Sequence, residues 1–316
     1  MPLPFRVGHV NIYFIDDGDG WAVLDTGTAG EPTRLIWESL LKGPLAGQRL
    51  TRLIVSHSHA DHVGLAGWLC ARHDMPLLMT LSGYLSCLNF LCDPSMKAAK
   101  PYLEFYLRLG MTPDMVDAIK AEGRSYPLMV EHLPPTFSRV LAGDALTIGG
   151  RTFEVLFGDG HAPDQVMLYC RSDNIFLPAD QILATRKPNI GVLEIDPDGD
   201  PLGLYLSSLR TMIDRIPADA FVLPGHELPF ENLHLRCHEL ARHYDERCAR
   251  ILELCRIAPR SITDMVPMLF TRPLDPSQQR FAFSEVHASV NAMFRRGELK
   301  CVPTQRPVCW TATCTG

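Results

Sequence analysis

Residues 57–62 read His-Ser-His-Ala-Asp-His and place four potential metal ligands within six positions. The cluster directly follows an apolar, strand-like run. Because side chains alternate along an extended chain, His57 and His59 face the same side. Asp61 and His62 lie where the chain turns into a helical pattern, and they are free to reach a second ion. The spacing predicts a site for two metal ions, and the alternative is a His-rich surface loop.

Three further motifs follow strand-like runs later in the chain. They are Gly-Asp-Gly-His at 158–161, Leu-Pro-Ala-Asp at 177–180 and Val-Leu-Pro-Gly-His at 222–226. An α/β sheet gathers functional groups at its strand ends, so His161, Asp180 and His226 are candidate ligands. Each is a weak signal alone, since a lone histidine is more often structural and an aspartate often caps a helix. Together, in this order, they complete a ligand set with the histidine cluster.

The elements that position these residues alternate between strands and helices. A hairpin at 10–25, with turn chemistry at 16–20, opens the fold. A helix is predicted at 32–41, and a strand at 52–55 leads into the histidine cluster. Sheet signals return after residue 137 and indicate an α/β class. The later predicted strands are 145–148, 152–157, 165–170, 175–178 and 221–223.

The interval 83–137 interrupts this alternation. It is rich in Leu, Met and Tyr at helical spacings, with prolines near the expected helix starts. We therefore predict a helical insertion. One interpretation is an apolar cap over the site, and the other is a homodimer surface.

The last part of the chain has a pattern of its own. A long helix is predicted at 233–257, closed by Pro259. Ser261 is the expected cap of a following helix, a further helix is predicted at 281–296, and a short strand at 298–302. The predicted boundaries are 1–257 for the main domain, 258–303 for a small C-terminal domain and 304–316 for an irregular tail.

The composition excludes several classes of protein. A chain of 316 residues with 46% hydrophobic and 21% charged residues indicates a globular protein. The net charge of −6 argues against a general attraction to nucleic acid. No secretion signal and no apolar run of about 18 residues is visible, so we expect a cytoplasmic protein without a membrane span. The ten cysteines are then expected to be reduced and mostly buried.

The ordered ligand set resembles the metallo-β-lactamase superfamily, and the match covers roughly residues 5–230. The resemblance implies a four-layered αββα sandwich with a dinuclear metal site along one edge. His57, His59 and His161 match the ligands of the first metal, Asp61, His62 and His226 match those of the second, and Asp180 matches the carboxylate that bridges both. Asp25 matches the position of a residue that orients a ligand histidine, and its alternative is a turn-forming aspartate before Gly27.

The module at 258–303 is similar to the winged-helix domain of some hydrolases in this superfamily. The complete fold class implied is α/β: the sandwich with a helical insertion and a small winged-helix-like C-terminal domain. Residues 259–302 carry six basic side chains and four acidic ones, a net charge of +2. This charge is low for a module that binds along a phosphate backbone. We expect this module to pack or to close a pocket, and we do not expect nucleic acid as a partner.

The implied chemistry is hydrolysis. Two divalent ions about 3.5–4 Å apart hold a bridging water, lower its pKa to about 7 and present hydroxide to a carbonyl or phosphoryl centre. Asp61 is the expected catalytic residue, because it can orient the nucleophile or accept its proton. Zinc suits five imidazoles best, and bridging carboxylates also permit iron or manganese.

The identity of residue 180 helps to choose between branches of the superfamily. The resemblance implies that its zinc β-lactamases carry a cysteine there or lack the bridging acid, whereas the present pattern is similar to hydroxyacylglutathione hydrolases, acyl-homoserine lactonases and several phosphodiesterases. A thiolate, with a conjugate-acid pKa of about 8.5, departs without a general acid. We therefore expect a small-molecule substrate, an acyl thioester, ester or lactone. Four tyrosines of the insertion are alternative proton donors, although such residues more often pack: Tyr84, Tyr102, Tyr106 and Tyr126.

Three other functions use the same residues. A metal-dependent phosphodiesterase or endoribonuclease would act on RNA through the same pair of ions. A mono-iron sulfur dioxygenase would use only two histidines and one aspartate. A metal-containing regulator would sense a metabolite in the sandwich and bind DNA through the winged helix.

Overall fold

A computed structural model of the chain describes residues 1–92, 99–122, 126–302 and 307–313. Its contacts divide the chain into two compact units, each assembled from segments that are distant in sequence. Unit 1 comprises Met1–Asp93, Ser125–Pro188 and Thr211–Arg236, and unit 2 comprises Pro94–Arg124, Asn189–Arg210 and Cys237–Gly316.

The strands and helices of the described residues are numbered in chain order. The strands are β1 Tyr13–Asp16, β2 Trp21–Leu24, β3 Leu50–Ile54, β4 Leu77–Met79, β5 Ser138–Arg139, β6 Ala145–Ile148, β7 Arg151–Gly158, β8 Gln165–Cys170, β9 Ile175–Ala179, β10 Phe221–Pro224, β11 Leu299–Val302 and β12 Cys309–Ala312. The helices are α1 Glu31–Lys42, α2 Ala60–Val63, α3 Ala66–His73, α4 Leu81–Cys92, α5 Lys100–Arg108, α6 Pro113–Glu122, α7 Tyr126–Met129, α8 Pro201–Arg215, α9 Leu233–Ile257, α10 Ile262–Leu269 and α11 Pro276–Arg295.

The first sheet of unit 1 has the strand order β1-β2-β3-β4-β5. β1 and β2 form the predicted antiparallel hairpin, and the other neighbours pair in parallel. The hairpin turn requires a glycine at position 20, because a Cβ there would lie 2.2 Å from the carbonyl oxygen of Arg49. The central strand, β3, carries the histidine cluster at its carboxyl end.

The second sheet of unit 1 has the order β10-β9-β8-β7-β6. β8 runs antiparallel to both β7 and β9, and β10 is parallel to β9. The carboxyl ends of β7, β9 and β10 therefore meet at one edge of this sheet. All six residues of β8 are buried, which fits its position in the middle of the sheet.

Alternation along the strands sorts the apolar side chains of unit 1 into two cores. Leu24 and Ile54 of the first sheet pack with Val155 and Leu168 of the second, in the cluster between the sheets. Val23, next to Leu24, points to the other face, where α1 and α3 cover the first sheet. Each fully buried aliphatic side chain of this kind contributes about 1.5–3 kcal/mol to the free energy of folding.

Unit 2 is organised around α11. This helix packs against α6, α10 and β11, and it holds the 189–200 segment through side-chain hydrogen bonds. Ser284 donates to the carbonyl of Val192 at 2.6 Å, and Asn291 donates to that of Gly199 at 2.9 Å. The helix cap predicted at Ser261 is confirmed, since its hydroxyl accepts the Asp264 amide in a reciprocal capping box.

The helical character of the insertion is confirmed for the described residues, from which 93–98 and 123–125 are excluded. The structure divides the insertion, because α4 and α7 belong to unit 1 whereas α5 and α6 belong to unit 2. The helix at 233–257 and the strand near 298–302 are also confirmed. The sequence boundary between residues 257 and 258 stays a prediction about domains.

The predicted irregular tail at 304–316 is wrong for residues 309–312, which form β12. This strand pairs with β11, and Trp310 exchanges two backbone hydrogen bonds with Arg260, at 2.8 and 3.0 Å. Trp310 is buried. Pairing with β11 and with Arg260 stabilises β12. The sequence did not predict this strand, because a run of four residues is too short to show a clear periodic pattern.

Two expectations from composition concern the whole described chain. Every helix among the described residues is too short or too polar to span a bilayer. Eight cysteines among the described residues are unbridged, and most of these eight are buried.

Candidate metal centre

The candidate ligands lie directly after four strands of unit 1. His57 and His59 follow β3 of the first sheet, and Asp61 and His62 lie in the short helix α2. The other three candidates follow strands of the second sheet whose carboxyl ends share one edge: His161 after β7, Asp180 after β9 and His226 after β10. A backbone hydrogen bond of 2.8 Å, from Val166 in β8 to Ser56 after β3, links the two sheets at this edge.

The structure brings all seven sequence-predicted residues together in two groups. Within each group the ligand atoms lie within 4.8 Å of one another. One group is His57, His59, His161 and Asp180, and the other is Asp61, His62 and His226.

The Asp180 carboxylate lies between the two groups. Its Oδ2 atom is 3.6 Å from Nε2 of His161 in its own group. The same oxygen is 3.4 Å from Nε2 of His62 and 3.1 Å from Nε2 of His226 in the other group. Asp61 belongs to the second group, with Oδ2 at 3.4 Å from Nε2 of His226. Asp180 is therefore the residue placed to serve both positions.

A buried hydrogen-bond chain behind the ligands starts at Asp25. Oδ2 of Asp25 accepts the Nδ1 proton of His62 at 2.8 Å and the hydroxyl proton of Ser56 at 2.8 Å. The Ser56 hydroxyl lies 3.0 Å from Nδ1 of His57, and it accepts that proton because its own proton is given to Asp25. One carboxylate thus occupies the Nδ1 side of both His57 and His62, and Nε2 is the atom that each ring would offer to a metal. Of the two readings of Asp25, the orienting one agrees with these contacts.

The N-terminal segment holds His226 in the same way. Nδ1 of His226 donates to the carbonyl of His9 at 2.5 Å, which leaves Nε2 facing Asp180. Asn11 and Tyr13 both donate to the carbonyl of Pro224, two residues before the ligand, at 2.9 and 2.7 Å. Sequence reasoning missed this support, because the bond joins residues 217 positions apart.

The loop that carries His161 is held by the residue after Asp180. Gln181 is fully buried and donates to the carbonyl of Asp159 at 2.8 Å. Its side chain packs directly on Gly158, where a Cβ would lie 2.6 Å from the Gln181 amide carbon. Gly158 therefore leaves room for the Gln181 amide to lie against the backbone of the loop that leads to His161.

Burial and neighbouring charges lower the pKa values of some candidate ligands and raise those of others. Burial, followed by the charges of nearby histidines, holds the pKa of His57 well below its usual range and lowers the pKa of His59 to about 3. For His226, burial lowers the pKa, but hydrogen bonds to Asp180 and Asp61 outweigh it and raise the pKa to about 10. For Asp180, burial raises the pKa, but the charge of His62 and three histidine hydrogen bonds leave it well below its usual range. Without a metal, His57 and His59 are therefore neutral, whereas His62 and His226, whose pKa values are raised by the neighbouring carboxylates, hold protons that a cation would displace on binding.

The residues present fit divalent metal ions. Five imidazoles and two carboxylates supply the nitrogen and oxygen donors that zinc, iron and manganese accept. Oδ1 of Asp180 is buried and has no hydrogen-bond partner among the described residues. A buried, ionised carboxylate oxygen without a partner is costly, and a bound cation would satisfy it.

Three of the four tyrosines considered as proton donors are engaged in other contacts. The hydroxyl of Tyr84 donates to the carbonyl of Pro134, and that of Tyr126 donates to the carbonyl of Ser58, both at 2.7 Å. Tyr106 belongs to unit 2, where its hydroxyl donates to Glu194 at 3.0 Å. Burial raises the pKa values of Tyr106 and Tyr126 far above the usual range.

Comparison with known proteins agrees with this geometry. The sequence model of the Metallo-beta-lactamase superfamily matches residues 5–226, and a model described as a metallo-beta-lactamase-like C-terminal domain matches residues 248–309. The chain therefore belongs to the metallo-β-lactamase superfamily, whose fold class its two sheets and surrounding helices confirm.

Three particular relatives cover most of the chain. A beta-lactamase domain protein from Burkholderia ambifaria is 32% identical, with a TM-score of 0.88 over 99% of this chain and 90% of that one. A metallo-beta-lactamase family protein from Thermus thermophilus is 23% identical and shares the fold, with a TM-score of 0.81 over 99% and 97% of the two chains. The probable metallo-hydrolase YqjP of Bacillus subtilis (strain 168) is 25% identical over 273 residues, which are 81% of this chain and 82% of that protein.

Proposed function

We propose that the protein is a dinuclear metal-dependent hydrolase that cleaves a thioester, ester or lactone. The observation that carries this proposal is the position of Asp180, whose Oδ2 atom lies within 3.6 Å of histidines from both ligand groups. A carboxylate shared between two groups of donors supports a pair of ions rather than one. The name of the B. subtilis relative, a probable metallo-hydrolase, agrees with the reaction class.

The two groups would each hold one ion, with Asp180 shared between them. Zinc is the proposed metal, and iron and manganese are the alternatives that the same donors accept. When bound, such a pair of ions lowers the pKa of a water and polarises the oxygen of the scissile carbonyl.

The chain's own residues would then manage protons and orientation. Asp61 retains partial exposure, whereas Asp180 is buried, so Asp61 is the carboxylate accessible to an incoming nucleophile or its proton. The hydrogen bond to Asp25 fixes the tautomer of His62, and the hydrogen bond to the His9 carbonyl fixes that of His226. These contacts support a centre that needs little rearrangement when a substrate binds.

The hydrogen bonds of the tyrosine hydroxyls indicate which leaving group the site favours. In unit 1, both Tyr84 and Tyr126 use their hydroxyl protons on backbone carbonyls, so neither is free to protonate a departing group. A thiolate needs no such acid, since its conjugate acid has a pKa of about 8.5. Thioesters are therefore the favoured substrates, ahead of esters and lactones.

Burial of α11 argues against nucleic acid as the substrate or partner. In a winged helix the recognition helix must present a face to the groove. In α11, residues 286–290 are buried without interruption, and both α6 and the 189–200 segment contact this helix. The structure thus supports a packing role for the C-terminal module over the RNA-directed and DNA-binding alternatives.

The test is a substrate panel on metal-loaded protein. S-acyl thioesters, p-nitrophenyl esters, an N-acyl homoserine lactone and a single-stranded RNA would be assayed with wild type, Asp180→Ala and Asp173→Ala. Asp173 lies in the exposed turn between β8 and β9 and serves as the matched control. We expect thioester turnover that falls at least about 100-fold in Asp180→Ala and stays within twofold in Asp173→Ala.

Metal analysis of the same samples separates the remaining possibilities. We expect about two ions per active chain. Active protein with fewer than one ion per chain would overturn the dinuclear proposal. Oxygen consumption with a persulfide would indicate the sulfur dioxygenase instead, and RNA cleavage that weakens with salt would indicate the nuclease.

A further inference from the structure

Most residues of the ligand loop at 56–62 are buried, so its buried carbonyl groups need hydrogen-bond donors from the protein. The Ser56 carbonyl accepts the Val166 amide at 2.8 Å. The His59 carbonyl accepts the amides of His62 and Val63 in α2, at 3.0 and 3.1 Å. Backbone donors from a strand and from a helix therefore hold two points of the loop.

The Ser58 carbonyl, between two candidate ligands, is held by a side chain. The Tyr126 hydroxyl donates to it at 2.7 Å. The Cys87 thiol of α4 lies at 4.0 Å from the same oxygen, which is the far limit for a sulfur donor, so the tyrosine is the main partner. Tyr126 is the first residue of α7, in the helical insertion.

We infer that Tyr126 is a positioning residue of the metal centre, which directs the His59 imidazole by fixing the Ser58–His59 peptide. The peptide group is planar, so a hydrogen bond to the Ser58 oxygen also fixes the orientation of the His59 N–Cα bond. The carbonyl at the other side of His59 is fixed by α2. With both flanking peptides held, the ring can place Nδ1 at its observed distance of 3.0 Å from Nε2 of His57.

The segment that carries Tyr126 is itself anchored around the ligand loop. The Met129 carbonyl accepts the Ala29 amide at 2.7 Å, and the Glu131 amide donates to the Gly64 carbonyl at 2.9 Å, just after α2. Glu131 also forms an ion pair with Arg34. The tyrosine therefore acts from a fixed position, and the inference gives this part of the insertion a role that rests on the proposed metal function.

Tyr126→Phe tests the inference, because it removes one hydroxyl and leaves the ring. Tyr84→Phe is a matched control: its hydroxyl also donates to a backbone carbonyl at 2.7 Å, but that carbonyl belongs to Pro134, away from any candidate ligand in sequence. The first measurement is the dissociation constant for Zn²⁺, obtained by competition with a chelator. We expect about a tenfold increase in Tyr126→Phe and less than a twofold change in Tyr84→Phe.

The second measurement does not depend on metal. Amide hydrogen exchange of a peptide covering 57–62, in metal-free protein, should be several-fold faster in Tyr126→Phe than in wild type or Tyr84→Phe. Thermal melting of both variants checks that each is folded. Equal effects of the two substitutions on both measurements, or no effect of Tyr126→Phe, would overturn the inference. Wild type that binds no metal would instead overturn the proposed function, and the exchange measurement would still decide the role of Tyr126.

Discussion

At the scale of single residues, the Asp25 carboxylate serves one histidine from each ligand group. It contacts His62 directly and His57 through the hydroxyl of Ser56. The Ser56 backbone amide also donates to Asp25, at 2.8 Å, so the carboxylate keeps a partner if the hydroxyl is removed. The two positions can therefore be perturbed separately.

Ser56→Ala should weaken one of the two proposed metal positions and spare the other. His57 loses the acceptor for its Nδ1 proton, whereas the bond between His62 and Asp25 remains. Loss of such an outer partner reduces metal affinity by about 10–100-fold. Calorimetric titration with Zn²⁺ should show two steps, of which only one is weakened. Ser58→Ala, a buried neighbour, is the control, and equal weakening of both steps would contradict the prediction.

A buried histidine in unit 2 makes stability depend on pH. Burial, followed by the charge of Arg108, lowers the pKa of His287 to about 3, against about 6.5 in an unfolded chain. Between these pH values His287 binds a proton in the unfolded state but not in the folded state. The free energy of unfolding therefore falls as the pH falls through 6.5. Between pH 7.5 and 5.5 this effect amounts to about 1.4 kcal/mol.

His287→Gln should remove this dependence, because glutamine does not titrate. Urea unfolding of metal-free protein at pH 7.5 and pH 5.5 would measure it. We expect wild type to lose about 1.4 kcal/mol more than the variant on acidification. An identical loss of unfolding free energy in both proteins would show that a group other than His287 causes the pH dependence.

At the scale of elements, helix α3 approaches the backbone of a neighbouring segment closely. A Cβ at Gly67 would lie 1.8 Å from the carbonyl oxygen of His132. The segment around His132 cannot withdraw easily, since Val130 and Leu133 are buried in the core on the outer face of the first sheet. The absence of a side chain at position 67 is therefore a packing requirement.

Gly67→Ala should lower the free energy of unfolding by about 2–3 kcal/mol, the upper part of the range for overpacked sites. Chemical denaturation measures the change. Ala71→Ser adds one atom to the exposed side of the same helix and should stay within about 0.5 kcal/mol of wild type. A Gly67→Ala variant as stable as this control would show that the 130–133 segment can move aside.

At the scale of the whole molecule, unit 2 joins part of the insertion to the C-terminal module. α6 packs against α11, and the Val308 amide donates to the Arg108 carbonyl at 2.9 Å. The apolar side chains of Phe105 and Val116 are buried. The insertion and the C-terminal region therefore share a core, although more than 130 residues separate them in the sequence.

Removal of residues 258–316 should leave α5 and α6 without their core. We expect increased binding of a hydrophobic dye and loss of amide protection across 100–122, with β8 amides as an internal reference. Unchanged protection of α5 and α6 in the truncated chain would show instead that the C-terminal module folds as a separate domain.

The sequence by itself determined the candidate ligands and most of the elements. Donor atoms are a property of residue types, and the strand that precedes each candidate ligand has a local apolar pattern, so the seven candidate ligands and the α/β class could be predicted. The sandwich architecture was implied by the resemblance of the ordered ligand set to the metallo-β-lactamase superfamily. The sequence also located the helical insertion and the hairpin, whose signals lie within short stretches.

Only the tertiary structure decided which residues support the candidate ligands and how the segments combine. Ser56, His9, Gln181 and Tyr126 have ordinary residue types, and their roles come from hydrogen bonds to loops that are mostly distant in sequence. The pairing of β12 and the division of the insertion between two units have the same origin. Contacts across long sequence separations leave no periodic pattern in a single sequence, because they depend on which surfaces meet after the chain has folded.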